Sequence, residues 1–124
     1  MLELWRSASA LPTVTDNVAA LGALLKRDGD SLIVVCSGDE VVGSLIATWD
    51  GWRGNMYRLA VHPSLRRQGM ARALVAEGER RLRALGCKRI TALVIEDEEH
   101  AVEFWTAAGY SFQPGMERFR KNLD

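Results

Sequence analysis

YRLAVHP, Tyr57 to Pro63, runs on into SLRRQGMARALVAEGERRLRAL, Ser64 to Leu85, and how this stretch is read decides the fold. An apolar run that suits a buried strand ends at His62 and Pro63. A short loop of basic and small residues follows, and from about Gln68 to Leu85 the apolar groups recur at helical spacing. Leu74, Val75, Gly78, Leu82 and Leu85 share one face, Arg and Glu residues share the other, and Gly86 closes the helix. The first turn holds Gly69 and Ala71. A helix N-terminus has unpaired N–H groups and a partial positive charge, so it binds phosphate wherever the backbone can come close. Gly69 and Ala71 permit that approach, and Arg66, Arg67 and Arg72 add charge suited to phosphate geometry. The spacing fits equally well a tight strand-to-helix turn that Gly69 relaxes, with the arginines simply solvated.

Composition narrows the class. A chain of 124 residues reads as one domain, 1–124, with room for a single core. Sixteen basic residues balance sixteen acidic ones, which argues against nucleic acid as a general partner. No run of about 18 apolar residues or signal-peptide pattern is present, so a cytoplasmic protein with no membrane partner is expected. Cys36 and Cys87 read as small core residues rather than a disulfide, and no His, Cys or carboxylate group has metal-ligand spacing, so no metal is expected.

Outward from the opening stretch, the chain alternates its elements. Leu2 to Ala10 has weak helical spacing, and Thr13 to Arg27 a clearer one through Val14, Val18, Leu21, Leu24 and Leu25. Ser31 to Ser37 and Glu40 to Trp49 are β-branched runs about a Gly38-Asp39 turn, and Asp50 to Gly54 turns the chain into a third strand, Asn55 to Val61. After the long helix, Lys88 to Ile95 reads as a strand and Glu98 to Ala108 as a helix burying Ala101, Phe104, Trp105 and Ala108, stopped by Gly109. Tyr110 to Gln113 and Glu117 to Leu123 read as short strands. The pattern is an α/β protein with a mixed sheet flanked by helices. The crossover through the long helix makes its two strands parallel, and an anion would lie at the carboxyl end of the first.

Arg66-Arg67-Gln68-Gly69-Met70-Ala71 fits [QR]-x-x-G-x-[GA], and here the chain resembles the GNAT superfamily of N-acetyltransferases. LAVHPSL resembles that family's central strand, ARALVAEGERRLRALG its long helix, and AVEFWTAAGY its last helix and strand, together covering about Val41 to Tyr110. The resemblance implies a GNAT-like fold, a twisted mixed sheet whose two central strands splay apart around the pantetheine arm of acetyl-CoA. It implies pyrophosphate binding by the amides of Arg67, Gln68, Gly69, Met70 and Ala71, with Arg66 and Arg72 beside them. Leu59 and Val61, with Ala60 between them, would pair main chain with pantetheine and supply an oxyanion donor. Phe104 and Trp105 are carried over as further cofactor contacts.

The sequence departs from the family pattern in two places. Glu98 stands where the family often has Asn. Trp105 stands where many members have a Tyr that protonates the departing thiolate, and an indole N–H is no substitute acid. Tyr57 and Tyr110 are the remaining tyrosines and the candidates for that role. On the central strand, Asn55, Tyr57 and Arg58 occupy positions where members place a carboxylate, which leaves Asp50 in the preceding turn as the candidate base. Members usually begin with a strand before the first helix, whereas Leu2 to Ser9 already reads as helix, so the expectation is that the first strand is either missing or supplied differently, with a partner subunit, as in a homodimer, covering that sheet edge.

The acidic run Glu96 to Glu99 and the basic clusters at Arg80, Arg81, Arg83, Lys88 and Arg89 read as solvated faces. Trp49 and Trp52 are candidates for an acceptor pocket wall. The expected function is acetyl transfer from acetyl-CoA to a primary amine, small-molecule or protein, by direct attack in a ternary complex. The alternative is a CoA-binding or peptide-binding module that keeps the fold without the catalysis. A dinucleotide site lacks its second glycine spacing and ribose-binding acid.

Overall fold

The structure, a computed structural model, describes residues 18–27, 29, 31–65, 69–92, 101–116 and 118–123. The expectations for Leu2 to Ala10, for the loop residues Arg66, Arg67 and Gln68, and for Glu96 to His100 lie outside these. The chain divides into two compact units, Met1–Leu93 and Val94–Asp124.

In the first unit the order is α1 (Val18–Arg27), β1 (Leu32–Ser37), β2 (Glu40–Trp49), β3 (Gly54–Val61), a short 3-10 turn (Pro63–Leu65), α2 (Met70–Leu85) and β4 (Ile90–Ala92). The strands form one mixed sheet in the order β1-β2-β3-β4, antiparallel at the first two junctions and parallel between β3 and β4. The β1–β2 hairpin closes through Gly38-Asp39. A positive φ of 62° falls at the first turn position, which Gly takes without the Cβ penalty.

The core lies between the sheet and α2. Gly43, Leu45, Ala47, Gly54 and Met56 line one sheet face, and Leu74, Val75, Gly78 and Leu82 press onto it. Gly78 is required by the closeness of this contact. A Cβ there would stand 2.8 Å from Met56 Cε and 2.9 Å from Leu45 Cδ2. Leu85, expected on the buried face, is 53% exposed. The helix stops there, because Gly86 enters the left-handed region and the Gly86 and Cys87 amides donate to the Arg83 and Leu82 carbonyls.

In the second unit α3 (Ala101–Ala107) carries Trp105 as its buried residue. Its end repeats the same device. Gly109 has φ 97°, and the Gly109 and Tyr110 amides donate to the Thr106 and Trp105 carbonyls. The strands expected over Tyr110–Gln113 and Glu117–Leu123 are absent from the described residues. The chain turns at Pro114-Gly115, and Phe112, Phe119 and Leu123 are exposed rather than laid on a ladder. Cys36, expected in the core, is exposed, because the β1 register shifts between Val35 and Cys36 at the edge of the sheet. Among the described residues no helix is long and apolar enough to cross a membrane, and no cluster of His, Cys, Asp or Glu could hold a metal ion.

Candidate active site

α2 runs antiparallel to β3. Its last turns meet Gly54 through Leu82, while Met70 at its start sits over Gly43, which pairs with Val61. The N-terminus of α2 therefore stands at the carboxyl end of β3. Gly69 is its N-cap, with φ 79° and no side-chain cap, and the helical ladder opens with the Ala73 amide donating to the Gly69 carbonyl at 3.0 Å. The Met70 and Ala71 amides precede that first bond and point out of the end of the helix. Among the described residues nothing lies within 4 Å of where a Gly69 Cβ would be, which leaves room beside this backbone for an anion. Ala71 is half-buried and Arg72 exposed at the same turn.

The backbone of β3 changes phase between its two ends. At the start, the Gly54 amide donates to the Arg89 carbonyl at 2.9 Å, and Gly54 and Met56 stand opposite Ile90 and Ala92, so the even-numbered residues face β4. At the far end, the His62 amide donates to the Val42 carbonyl at 2.8 Å. Ala60 and His62 therefore face β2, while Leu59 and Val61 turn their backbone groups to the opposite edge. One extra residue makes the change. Arg58 and Leu59 together stand opposite Leu45, a β-bulge, and Arg58 takes φ 53°. Among the described residues it is the one non-glycine with a positive φ. Fully buried Ser44 donates from Oγ to the Arg58 carbonyl at 3.1 Å. The pairing of β4 ends at Ala92, opposite Met56, so within the described residues the Leu59–Val61 edge carries no strand.

The expected backbone contacts at Leu59, Val61, Gly69, Met70 and Ala71 thus fall on one line. The helix terminus of Gly69, Met70 and Ala71 lies at the end of β3, and the outward amides of Val61 and Leu59 lead back from it along the strand to the bulge. Regular alternation predicts neither the bulge nor Ser44 beneath it. The signal in the sequence is a serine within the run Val41–Ala47, whose other residues are apolar or glycine.

The candidate acid and base are placed differently. Asp50 Oδ1 accepts the Trp52 and Arg53 amides, both at 2.8 Å, in the β2–β3 turn. These bonds, Arg53's first, hold its carboxyl below the usual value. At about 3.3 Å per residue, the strand from Gly54 to Leu59 separates this turn from the bulge by roughly 16 Å. In the structure Asp50 caps this turn and is exposed. Tyr57 is half-buried on β3, opposite Ile46. Tyr110 lies in the second unit, edge-on to Trp105 with 4.9 Å between ring centres, and Phe104 also meets Trp105 edge-on at 5.4 Å. Trp52 is 73% exposed and carries the Arg53 guanidinium over its ring at 4.2 Å. The indole nitrogen of Trp49 is buried and has no hydrogen-bond partner among the described residues. The basic face of α2 is a surface network in which Glu77 accepts from Arg80 and Arg81.

Comparison with known proteins bears on the whole arrangement. A family model described as the acetyltransferase (GNAT) family matches residues 1–110. An acetyltransferase of Sodalis glossinidius is 32% identical over 123 residues, 99% of this chain and 87% of that protein. One of Photorhabdus laumondii is 35% identical over 102 residues, covering 82% and 71%. Among solved structures, AAC(6')-Iy in complex with the bisubstrate analogue CoA-S-monomethyl-acetylneamine is 19% identical with a TM-score of 0.70, covering 98% of this chain and 92% of that one. An aminoglycoside acetyltransferase from an uncultured soil metagenomic sample is 16% identical with a TM-score of 0.74, covering 99% and 86%. These two share the fold. The family match over most of the chain, the two relatives and the helix terminus at the end of β3 agree, and the chain belongs to the GNAT family as an acetyltransferase.

Proposed function

We propose that the protein transfers an acetyl group from acetyl-CoA to a primary amine by direct attack in a ternary complex. The observation that carries this reading is the alignment of the Gly69–Ala71 helix terminus with the outward amides of Val61 and Leu59. The diphosphate is held at the terminus by backbone N–H groups and the helix dipole, with Arg66, Arg67, Gln68 and Arg72 contributing as the family pattern implies. The pantetheine arm runs along the β3 edge and hydrogen-bonds to it as an added strand would. The related structure of AAC(6')-Iy with CoA supports this choice of donor.

The reaction follows from that placement. The neutral amine attacks the thioester carbonyl carbon, and negative charge builds on the carbonyl oxygen, where a β3 main-chain N–H stabilises it. The C–S bond then breaks, the nitrogen loses a proton, and the CoA thiolate leaves and takes up a proton. A thiol with a pKa of about 8.5 is a tolerable leaving group near neutral pH, so a dedicated acid is dispensable. Tyr57 is the candidate on β3 if one operates. No covalent enzyme intermediate is required, and neither Cys36 nor Cys87 neighbours the loop in sequence.

A mass-spectrometric screen of amines with acetyl-CoA tests the proposal, using kanamycin, spermidine, L-lysine and a peptide with a free N-terminus as probes. Acetylated product with equimolar thiol release supports it. Binding of CoA with no turnover on any amine would favour the binding-module alternative.

A further inference from the structure

We propose that Ser44 is a positioning residue for acetyl transfer. Acting through the backbone of Arg58, it locks the β3 bulge that aims the Leu59 amide at the reacting thioester. This rests on the acetyl-transfer reading above. Ser44 lies on β2, touches no substrate in that reading, and belongs to none of the groups assigned to donor binding.

Three observations converge on it. Ser44 and Ser31 are the buried polar residues of the described chain, and Ser44 is 0% exposed. A buried hydroxyl is kept at a desolvation cost unless it has specific hydrogen-bonding work to do. Its Oγ donates to the Arg58 carbonyl at 3.1 Å, across a separation of 14 residues. Arg58 in turn holds φ 53°, a region that L residues with a Cβ rarely occupy. Such a conformation persists only when its surroundings hold it, and the Ser44 bond grips the strained peptide from the neighbouring strand.

The bulge has a directional consequence. Without the extra residue opposite Leu45, β3 would keep one phase along its length, and Leu59 and Val61 would turn their amides inward to β2. With it, both face the edge that leads from the Gly69 terminus. Oxyanion stabilisation is steeply sensitive to donor position, so loosening the bulge lowers turnover more than it lowers donor affinity, most of which resides at the helix terminus.

Ser44→Ala, Ser44→Cys and Ser44→Thr are compared with the wild type. The readouts are Tm, calorimetric affinity for CoA, and kcat with acetyl-CoA and the fastest amine of the screen. Ser44→Ala and Ser44→Cys are expected to lose at least about tenfold in kcat with CoA affinity within about threefold of wild type. Ser44→Thr, which keeps the hydroxyl, is expected to recover most of the rate. A kcat for Ser44→Ala within twofold of wild type overturns the proposal, even if Tm falls. If Ser44→Ala does not fold, Ser44→Cys decides in the same way, since it preserves the packing and replaces a good donor with a poor one. A wild-type protein that binds no CoA, or acetylates no amine, overturns the underlying acetyl-transfer reading instead.

Discussion

Asp50 combines the chemistry of a base with the position of a turn cap. A carboxylate just before the central strand suits a general base, but both turn amides bind one of its oxygens and lower its basicity. Asp50→Ala is therefore expected to lower Tm by a few degrees while leaving kcat within twofold of wild type, measured by thermal unfolding and thiol release. A base would lose a hundredfold or more on the same substitution. The resemblance made Gly69 legible from its spacing alone, and its φ of 79° now explains why glycine is needed there. Arg58 was not legible. An arginine with positive φ is set by the bond from Ser44 on another strand, and no local pattern encodes that. Such a residue costs about 1–3 kcal/mol, offset in part by a hydrogen bond contributing about 1 kcal/mol.

At the scale of elements, helix α2 and strand β3 carry most of the architecture, and both were readable because their periodicities are strong. The helix face over Leu74, Val75, Gly78 and Leu82 is buried as its spacing indicates. Gly78 admits the sheet, so Gly78→Val forces Met56 and Leu45 aside and is expected to destabilise the fold by about 1–3 kcal/mol in urea unfolding. On the opposite face, hydrogen bonds from Arg80 and then Arg81 lower the pKa of Glu77 from 4.5 to about 2. A depressed carboxylate contributes its stability above the unfolded-state value and loses it as pH falls through the folded value. Glu77→Gln should flatten the stability profile between about pH 4.5 and 2 and change it little above that range, as followed by Tm against pH. The C-terminal strands were misread because alternation over Glu117–Leu123 specifies an extended chain but supplies no partner to pair with. Register and pairing are long-range properties, and the bulge in β3 was missed for the same reason.

For the molecule as a whole, the sheet unit Met1–Leu93 contains the β3 edge and the helix terminus proposed to hold the donor, while Phe104, Trp105 and Tyr110 belong to the unit Val94–Asp124. Length and balanced charge indicated a globular chain, and the family match runs from residue 1 to residue 110. The glycine turn into α2 is legible because a short motif specifies it, and the proposed donor side rests on that backbone. The acceptor side is not, because amine recognition depends on side chains that vary freely on one fold. The central claim is that the N-terminus of α2 binds the diphosphate of acetyl-CoA, and calorimetric titration of acetyl-CoA into wild type and Gly69→Val tests it most directly. No described residue crowds a side chain at Gly69, so the variant is expected to fold, at a strain cost of about 1–2 kcal/mol, while its side chain occupies the approach to the amides. We expect wild type to bind acetyl-CoA and the variant to lose at least about 100-fold in affinity, roughly 2.7 kcal/mol. A folded variant that binds acetyl-CoA within threefold of wild type would contradict the claim.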